Sequence, residues 1–211
     1  LIMTHSDDNG LVLPPNLAPY QVVIVPIYKS EEQLDAISTV AQDIMKTLRS
    51  ENISVKYDDR TTQRPGAKFA QHELQGVPLR IAIGPKDLEK GTVEVARRDT
   101  LSKTTFVLEG LSTEIKNLLT EIQESLYKRA FDFRDAHITE VDTFDAFKEV
   151  LEVKGGFISA HWDGTAETEQ KIKDATKATI RCIPYDAPEE SGVCVFSGAP
   201  SKGRVLFAKA Y

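Results

Sequence analysis

Apolar residues along the first two thirds of the chain follow the periods of both strands and helices. The continuous apolar run VVIVPI at 22–27 predicts a buried strand. Segment 30–52 has apolar residues at helical spacing, and these are Leu34, Ile37, Ala41, Ile44 and Leu48. Ser30 and Gln33 are placed to form a capping box at the start of this helix.

The segments that follow continue the alternation of predicted strands and helices. The stretches ISVKYDD (53–59), PLRIAIG (78–84), GTVEVARRD (91–99) and KTTFVLEG (103–110) predict strands. GAKFAQHELQG (66–76) predicts a short helix that Gly76 and Pro78 end, and a long helix is predicted over 112–137. This order indicates an α/β fold, a sheet covered by helices.

The remaining residues predict a second, smaller α/β unit. TFDAFKEVLEV (143–153) and ETEQKIKDATK (167–177) have helical patterns, whereas GGFISAHW, TIRCIPY and RVLFAKAY predict strands. The proline-rich stretch PPNLAP at 14–19 predicts a linker near the start of the chain.

Composition narrows the class of protein. The 211 residues are 41% hydrophobic and 27% charged, which is typical of a globular chain, and the apolar runs are too short to cross a bilayer. Two cysteines do not indicate a secreted disulfide scaffold, so we expect a cytoplasmic protein with no membrane partner. The chain begins at Leu1 with LIMTHSDDNG, and we expect it to be a piece of a longer polypeptide.

Charge is unevenly distributed. The net charge is −6, which argues against indiscriminate nucleic-acid binding. Residues 55–105 nevertheless contain ten Lys or Arg against seven Asp or Glu, a balance of +3, which leaves −9 for the rest. This difference is either chance or a sign of selective contact with an anion.

Common catalytic motifs are incomplete. GAPSKGRV at 198–205 has the glycine spacing of a phosphate loop but lacks the Lys-Ser/Thr that binds the terminal phosphates and magnesium. The four histidines are scattered, and neither cysteine lies in a nucleophile motif. We therefore predict no catalytic residue in this chain.

The most informative pair is Glu73 and Arg80. Alternation in PLRIAIG puts Arg80 on the face opposite Leu79 and Ile81, and Glu73 ends the preceding helix. An arginine can donate to O6 and N7 of guanine, while a carboxylate accepts from its N1 and N2 hydrogens. The alternative interpretation is an ordinary surface salt bridge, which stabilises little.

Several long stretches resemble one family. LIMTHSDDNGLVLPPNLAPYQVVIVPI, DDR…RPGAKF, GVPLRIAIGPKDLEKG, HWDG and the final FAKAY are similar to prolyl-tRNA synthetases of the eukaryote/archaeal-like type, which are class II enzymes. The resemblance runs from the first residue to the last.

The resemblance implies three regions. Residues 1–16 would be the tail of the class II catalytic domain, from its motif 3, with a linker. Residues 17–130 would be a mixed-sheet anticodon-binding domain, and residues 131–211 a smaller α/β C-terminal domain of the zinc-binding-like type. The catalytic core would lie upstream, so we expect the fragment alone to be inactive.

The resemblance also implies function and site residues. The full-length enzyme would use ATP with magnesium to activate proline and attach it to tRNA(Pro), and would be a homodimer. Glu73, Arg80 and Lys103 would contact the two guanines of the anticodon. His5 and Tyr211 would lie near the active site of the full-length enzyme.

The family's zinc site is where this sequence departs. Members with metal have two cysteine pairs, whereas Asp163 and Thr168 stand at the first pair here, and Cys194 and Ser197 at the second. One thiol, one carboxylate and two hydroxyls are a poor ligand set, so we do not expect zinc. Cys182 is expected to be a small buried side chain.

A second hypothesis stays open beside the synthetase. The chain would then be a non-catalytic RNA- or protein-binding module derived from an anticodon-binding domain. Class II motifs 1 and 2 upstream of this sequence would favour the synthetase.

Overall fold

The computed structural model describes residues 1–185 and 187–210. The chain divides into two units, the first being Leu1–Ala130 and the second beginning at Phe131. Across the described residues, no helix combines the length and apolar character needed to span a membrane.

The first unit contains a five-stranded sheet and helices. Its strands are β1 (Val22–Pro26), β2 (Val55–Tyr57), β3 (Leu79–Ile83), β4 (Thr92–Arg97) and β5 (Lys103–Val107). Its helices are α1 (Ile2–His5), α2 (Glu31–Ser50), α3 (Pro65–Leu74), α4 (Pro85–Lys90) and α5 (Leu111–Ala136), the last of which continues past Ala130.

The sheet is mixed, as expected. Its strand order is β2-β1-β3-β4-β5, with β1 parallel to both β2 and β3. β4 is antiparallel to β3 and to β5. The α/β fold class inferred from the sequence is confirmed.

Helix α2 follows the predicted pattern closely. The Ser30 hydroxyl accepts a hydrogen bond from the Gln33 amide, and the Gln33 side chain accepts one from the Lys29 amide. The reciprocal bond therefore reaches one residue further back than in a standard capping box. Ile37, Ala41, Ile44, Met45 and Leu48 form the buried stripe of this helix.

The two faces of the first sheet are covered differently. Leu79, Ile81 and Ile83 belong to the large core that includes buried residues of α2 and α5. The opposite face carries a small apolar cluster of Val23, Val25 and Val77, against which Phe69 of α3 packs. Arg80 lies on this second face, because side chains alternate along a strand.

The proline-rich stretch, predicted to be a linker, packs against the first unit. Residues Pro15–Leu17 form a 3₁₀ helix, and Pro14 and Pro15 are buried. Val12 belongs to the main core, and the Asn16 amide donates to the Gln123 side chain. An apolar contact before the prolines and a hydrogen bond after the first two therefore hold this stretch against the first unit.

The second unit is a smaller α/β structure, again as expected. Its elements are β6 (Ile138–Glu140), α6 (Phe144–Val153), β7 (Phe157–His161), α7 (Ala166–Thr176), β8 (Ala178–Cys182), β9 (Gly192–Val193), β10 (Pro200–Ser201) and β11 (Arg204–Lys209). The main sheet has the order β6-β7-β11-β8, and β9 pairs with β10. Phe147, Ile158 and Phe207 are fully buried in its core.

The expectation for Cys182 is wrong. Cys182 is exposed, whereas Cys194 is buried. Burial decreases along β8 from Ala178 towards its last residue, so the strand leaves the core before it reaches Cys182.

Candidate functional site

Helix α3 is anchored by a group of charged and polar side chains around the buried Asp58. The carboxylate of Asp58 accepts hydrogen bonds from Arg60 and from Nε2 of His72, the latter at 2.8 Å. Lys68 is buried and donates to the Asp58 carbonyl oxygen at 2.8 Å. The hydrogen bond with Arg60 is the main cause that lowers the pKa of Asp58, so the carboxylate is ionised. These contacts fix α3 against the end of β2.

Arg80 is held under α3 by an aromatic contact. Its side chain is buried, with the guanidinium carbon 3.6 Å from the centre of the Phe69 ring. Burial lowers the pKa of Arg80, while the charges of Glu94 and Glu73 act in the opposite direction. The face of the ring attracts the cation electrostatically and so stabilises the buried guanidinium.

Strand register brings Lys103 to the same face of the sheet. Arg80 pairs with Ala96, and Ala96 pairs with Lys103, so the three form one row across β3, β4 and β5. Lys103 is thus two strands away from Arg80, a spacing of about 10 Å.

Glu94 occupies the adjacent row, and its carboxylate lies between the two cations. One of its oxygens is 3.6 Å from Nη1 of Arg80 and 3.9 Å from Nζ of Lys103. Both distances exceed that of a good hydrogen bond, so these are weak charge contacts.

A small pocket of about 10 Å³ joins the end of α3 to this face. Glu73 and Arg80 both line it, together with His72, Val77, Ala96, Arg97 and Arg98. Within the part of the chain that the structure describes, Nε and Nη1 of Arg80 and Nδ1 of His72 are buried without a hydrogen-bond partner. Leaving buried polar groups without a hydrogen bond is costly, and each such group needs an explanation, of which a bound water or ligand is one.

Arg98 belongs to the same pocket but is fully bonded. Its Nε donates to the carbonyl oxygen of Glu73 at 2.8 Å. Its Nη1 and Nη2 donate to the two carboxylate oxygens of Asp7, at 2.8 and 2.6 Å. The hydrogen bond from Arg98 is the main cause that lowers the pKa of Asp7, to about 2.

The structure therefore brings together two of the predicted residues and places the third nearby. Glu73 and Arg80 line one pocket, and Lys103 lies on the same sheet face. The Arg80 side chain is only 5% exposed, and its contact to Glu94 is long. The alternative of a surface salt bridge between Glu73 and Arg80 stays open. Their role in binding RNA stays a prediction.

Sequence reasoning missed the residues that support this pair. Phe69, His72 and Lys68 all lie on the inner face of α3. The buried cation and histidine do not follow an apolar helical pattern, so periodicity could not identify that face. The motif DDR…RPGAKF, which includes Asp58, Arg60 and Lys68, was the available signal.

Two residues, His5 and Tyr211, are expected near an active site, and the structure describes the first of them. His5 ends α1, where burial, followed by the charge of Arg129, lowers its pKa. Tyr211 lies outside the described residues.

The four positions expected at a degenerate zinc site lie in the second unit. One carboxylate oxygen of Asp163 accepts from Thr168 at 2.7 Å and from Ser197 at 2.6 Å. The other oxygen accepts from the amide and hydroxyl of Thr165. Burial tends to raise the pKa of Asp163, but hydrogen bonds from Ser197, Thr168 and Thr165 outweigh it and lower the pKa to about 2.

This arrangement does not suit Zn²⁺. Three of the four positions are bonded to one another, and two of them are hydroxyls, which are poor zinc ligands. Cys194 is buried, and among the described residues no group of three or more His, Cys, Asp or Glu is placed to hold a metal ion.

Two family models match the chain. A model described as an anticodon-binding domain matches residues 21–118. A model described as the C-terminal part of prolyl-tRNA synthetase matches residues 144–211. The two matches fall in different units of the structure.

Three similar proteins are each named proline–tRNA ligase. The chain is 69% identical to a proline–tRNA ligase of Christiangramia forsetii, 66% to one of Flavobacterium johnsoniae and 58% to one of Cytophaga hutchinsonii, in each case over all 211 residues. It spans 43% of the length of each of these relatives.

Proposed function

This chain belongs to the prolyl-tRNA synthetase family, and we propose that it is the part of such an enzyme that recognises the anticodon of tRNA(Pro). The observation that carries the proposal is the guanidinium of Arg80. It is buried beside Glu73, and two of its nitrogens have no hydrogen-bond partner among the described residues.

The chemistry of the pair suits guanine. The N–H groups of Arg80 would donate to O6 or N7, and the carboxylate of Glu73 would accept from the N1 and N2 hydrogens. Lys103 would donate to the neighbouring guanine from the same sheet face. These three assignments match the residues that the resemblance indicates.

The charge balance of the face favours a base over a phosphate. Arg80 and Lys103 are matched by Glu73 and Glu94, so the four groups sum to zero. Phosphate binding depends on uncompensated positive charge, whereas a base edge needs donors and acceptors together.

The size of the pocket constrains how a base would bind. A volume of about 10 Å³ accommodates a water molecule and not a purine. A guanine would therefore be held at the mouth of the pocket, and the covered nitrogens of Arg80 would need a small side-chain movement to reach it.

The activity of the whole protein is part of the proposal. We propose a cytoplasmic, homodimeric enzyme that uses ATP and magnesium to activate proline and attach it to tRNA(Pro). The 211 residues would supply anticodon recognition and no catalytic residue. Proline-dependent exchange between ATP and pyrophosphate by the isolated chain would contradict this division.

We also propose that the second unit holds no zinc. The Asp163 hydrogen bonds would serve in place of metal ligands. Stoichiometric zinc in the purified chain would contradict this.

The test uses RNA stem-loops that carry the proline anticodon, titrated into the isotope-labelled 211-residue chain and followed by NMR. NMR detects weak binding, so a low affinity would still be measured. We expect Arg80→Ala to weaken binding roughly ten- to a hundredfold, because one bidentate contact to guanine contributes about 1–3 kcal/mol.

Two controls make this result specific. Arg80→Lys keeps the charge and loses the bidentate geometry, so it should be nearly as weak as Arg80→Ala. RNA in which adenine replaces each guanine should bind the wild type and Arg80→Ala about equally. Binding by the wild type that ignores both guanines would instead favour a general RNA-binding module.

A further inference from the structure

The carboxylate of Glu73 is attached to a helix end that another part of the chain holds in place. Arg98 is 3% exposed, and its Nε donates to the carbonyl oxygen of Glu73 itself. The remaining nitrogens of Arg98 form a two-bond ion pair with Asp7. Asp7, Arg98 and the backbone of Glu73 therefore form one continuous set of hydrogen bonds, which we call the Asp7 clamp.

The backbone around Asp7 reinforces the clamp. The Leu11 amide donates to the Leu74 carbonyl at 3.0 Å, and the Leu13 amide donates to the Gly76 carbonyl at 3.3 Å. The segment from Asp7 to Leu13 thus runs along the last turn of α3 and the residues that follow it.

Two glycines allow this close approach. A Cβ on Gly10 would lie 2.6 Å from Cα of Leu74, and a Cβ on Gly76 would lie 2.7 Å from Cβ of Leu11. Both glycines also have positive φ, of 125° and 74°. No other residue type fits either position without moving the backbone.

We propose that Asp7 and Arg98 are positioning residues for anticodon recognition: the Asp7 clamp holds the Glu73 carboxylate at the angle from which it accepts hydrogens from guanine. The inference rests on the proposed function, since it assigns a role to residues that would not touch the RNA. The physical reason is the fixed fork of the guanidinium, which ties a side chain to a backbone oxygen with little freedom.

The variant Asp7→Asn tests this with little risk to folding. The Asp7 side chain is 40% exposed, and asparagine keeps one acceptor oxygen while it removes the charge. The matched control is Asp8→Asn, an identical change at the exposed neighbouring position. Arg98→Lys serves as a second variant, because it removes the fork and keeps the charge.

The first measurement is hydrogen exchange in the 211-residue chain without RNA. The amides of Gly76 and Val77 bond to carbonyls of the α3 end, at Glu73 and His72. We expect Asp7→Asn to speed their exchange about tenfold or more, and Asp8→Asn to leave it unchanged. If neither Asp7→Asn nor Arg98→Lys speeds the hydrogen exchange of these two amides, the clamp inference is wrong.

The second measurement is selectivity for guanine over inosine in the anticodon stem-loop. Inosine lacks only the N2 amino group, so the ratio of the two affinities reports on the carboxylate that accepts from it. In the wild type we expect a ratio of roughly tenfold, the effect of one hydrogen bond to a charged group. In Asp7→Asn and in Glu73→Gln the ratio should fall close to one.

The double variant separates positioning from general weakening. Asp7→Asn should cause no further loss of selectivity once Glu73→Gln is present, whereas independent effects would add. If Asp7→Asn keeps the wild-type ratio while Glu73→Gln loses it, the clamp inference fails and the proposed function stands. If the wild type itself does not distinguish guanine from inosine, recognition by Glu73 fails, and the inference fails with it.

Discussion

Arg80 and Arg98 are both buried arginines in the same small pocket, yet their surroundings differ. Every nitrogen of Arg98 donates to a protein oxygen. Arg80 instead lies on the Phe69 ring, and its Nε and Nη1 have no hydrogen-bond partner in the described part of the chain. A bonded guanidinium stabilises the fold, whereas one with unused donors is suited to bind a ligand.

The buried charges around Asp58 lead to a prediction at the residue scale. Asp58→Ala would remove the carboxylate that accepts from Arg60 and His72. It would also remove the counter-charge 3.9 Å from Nζ of Lys68, a side chain that is 1% exposed and would keep its hydrogen bond to the backbone carbonyl of residue 58. Loss of one member of a buried charged group costs about 3–5 kcal/mol, because the remaining charge is left uncompensated. Urea unfolding followed by circular dichroism should show this loss in the first unit.

The neighbouring residue provides the control. Asp59→Ala makes the same change at an exposed position and should cost little. Equal destabilisation by Asp58→Ala and Asp59→Ala would contradict the importance of the buried group.

At the scale of elements, segments with a clear apolar pattern were predictable from the sequence, and several short segments without one were not. The stripe of α2 and the alternation of β3 depend on apolar spacing, which the sequence shows directly. α4, β6, β9 and β10 were not predicted, because these short segments have no clear apolar alternation or helical spacing. β6, for example, owes its place to parallel pairing with β7, which is a tertiary contact.

The candidate site was also predictable only in part, because some of its contacts join elements that are far apart in the sequence. Glu73 and Arg80 are close because the helix, tight turn and strand that carry them are consecutive. Lys103, which the resemblance indicated, reaches the same face through the register of β3, β4 and β5. Asp7 lies 91 residues from Arg98, and no local pattern indicates a contact at that separation.

The turn around Asp163 leads to a prediction at the element scale. Asp163→Asn should destabilise the second unit by about 1–2 kcal/mol, because the amide cannot accept all the hydrogen bonds that the carboxylate does. Trp162, the single tryptophan of the chain, adjoins this turn and donates to the Thr165 carbonyl. Its fluorescence during urea unfolding measures the stability of this unit.

The pH dependence of the same variant checks the cause. The pKa of Asp163 falls from an ordinary 3.8 to about 2 on folding. The ionised carboxylate therefore stabilises the wild type above the ordinary value, and this contribution is lost as the pH falls towards 2. Asp163→Asn should lack this dependence, whereas Asp174→Asn, an exposed change on α7, should keep it.

At the scale of the whole molecule, charge and chemistry are divided between regions. Residues 55–105, with a balance of +3, include Glu73, Arg80, Lys103 and Glu94, whereas the rest of the chain sums to −9. The proposed base-recognition site lies in the basic part of an acidic chain, and this position would favour selective contacts over general attraction to RNA. The excess of positive charge in residues 55–105, which from the sequence alone was either chance or a sign of anion contact, coincides with the candidate site.

The Asp7 clamp has a consequence for the order in which the chain folds. Arg98 bonds to Asp7, which lies 91 positions earlier in the chain, and to Glu73, which lies 25 positions earlier. Closing so long a loop costs chain entropy before any contact compensates for it, so we expect the clamp to form after the local helices and hairpins. In stopped-flow refolding, helical circular dichroism should therefore recover before guanine-selective RNA binding, and Asp7→Asn should leave the first phase unchanged. Simultaneous recovery of both signals would mean that the segment at Asp7 docks early, as part of the folding nucleus.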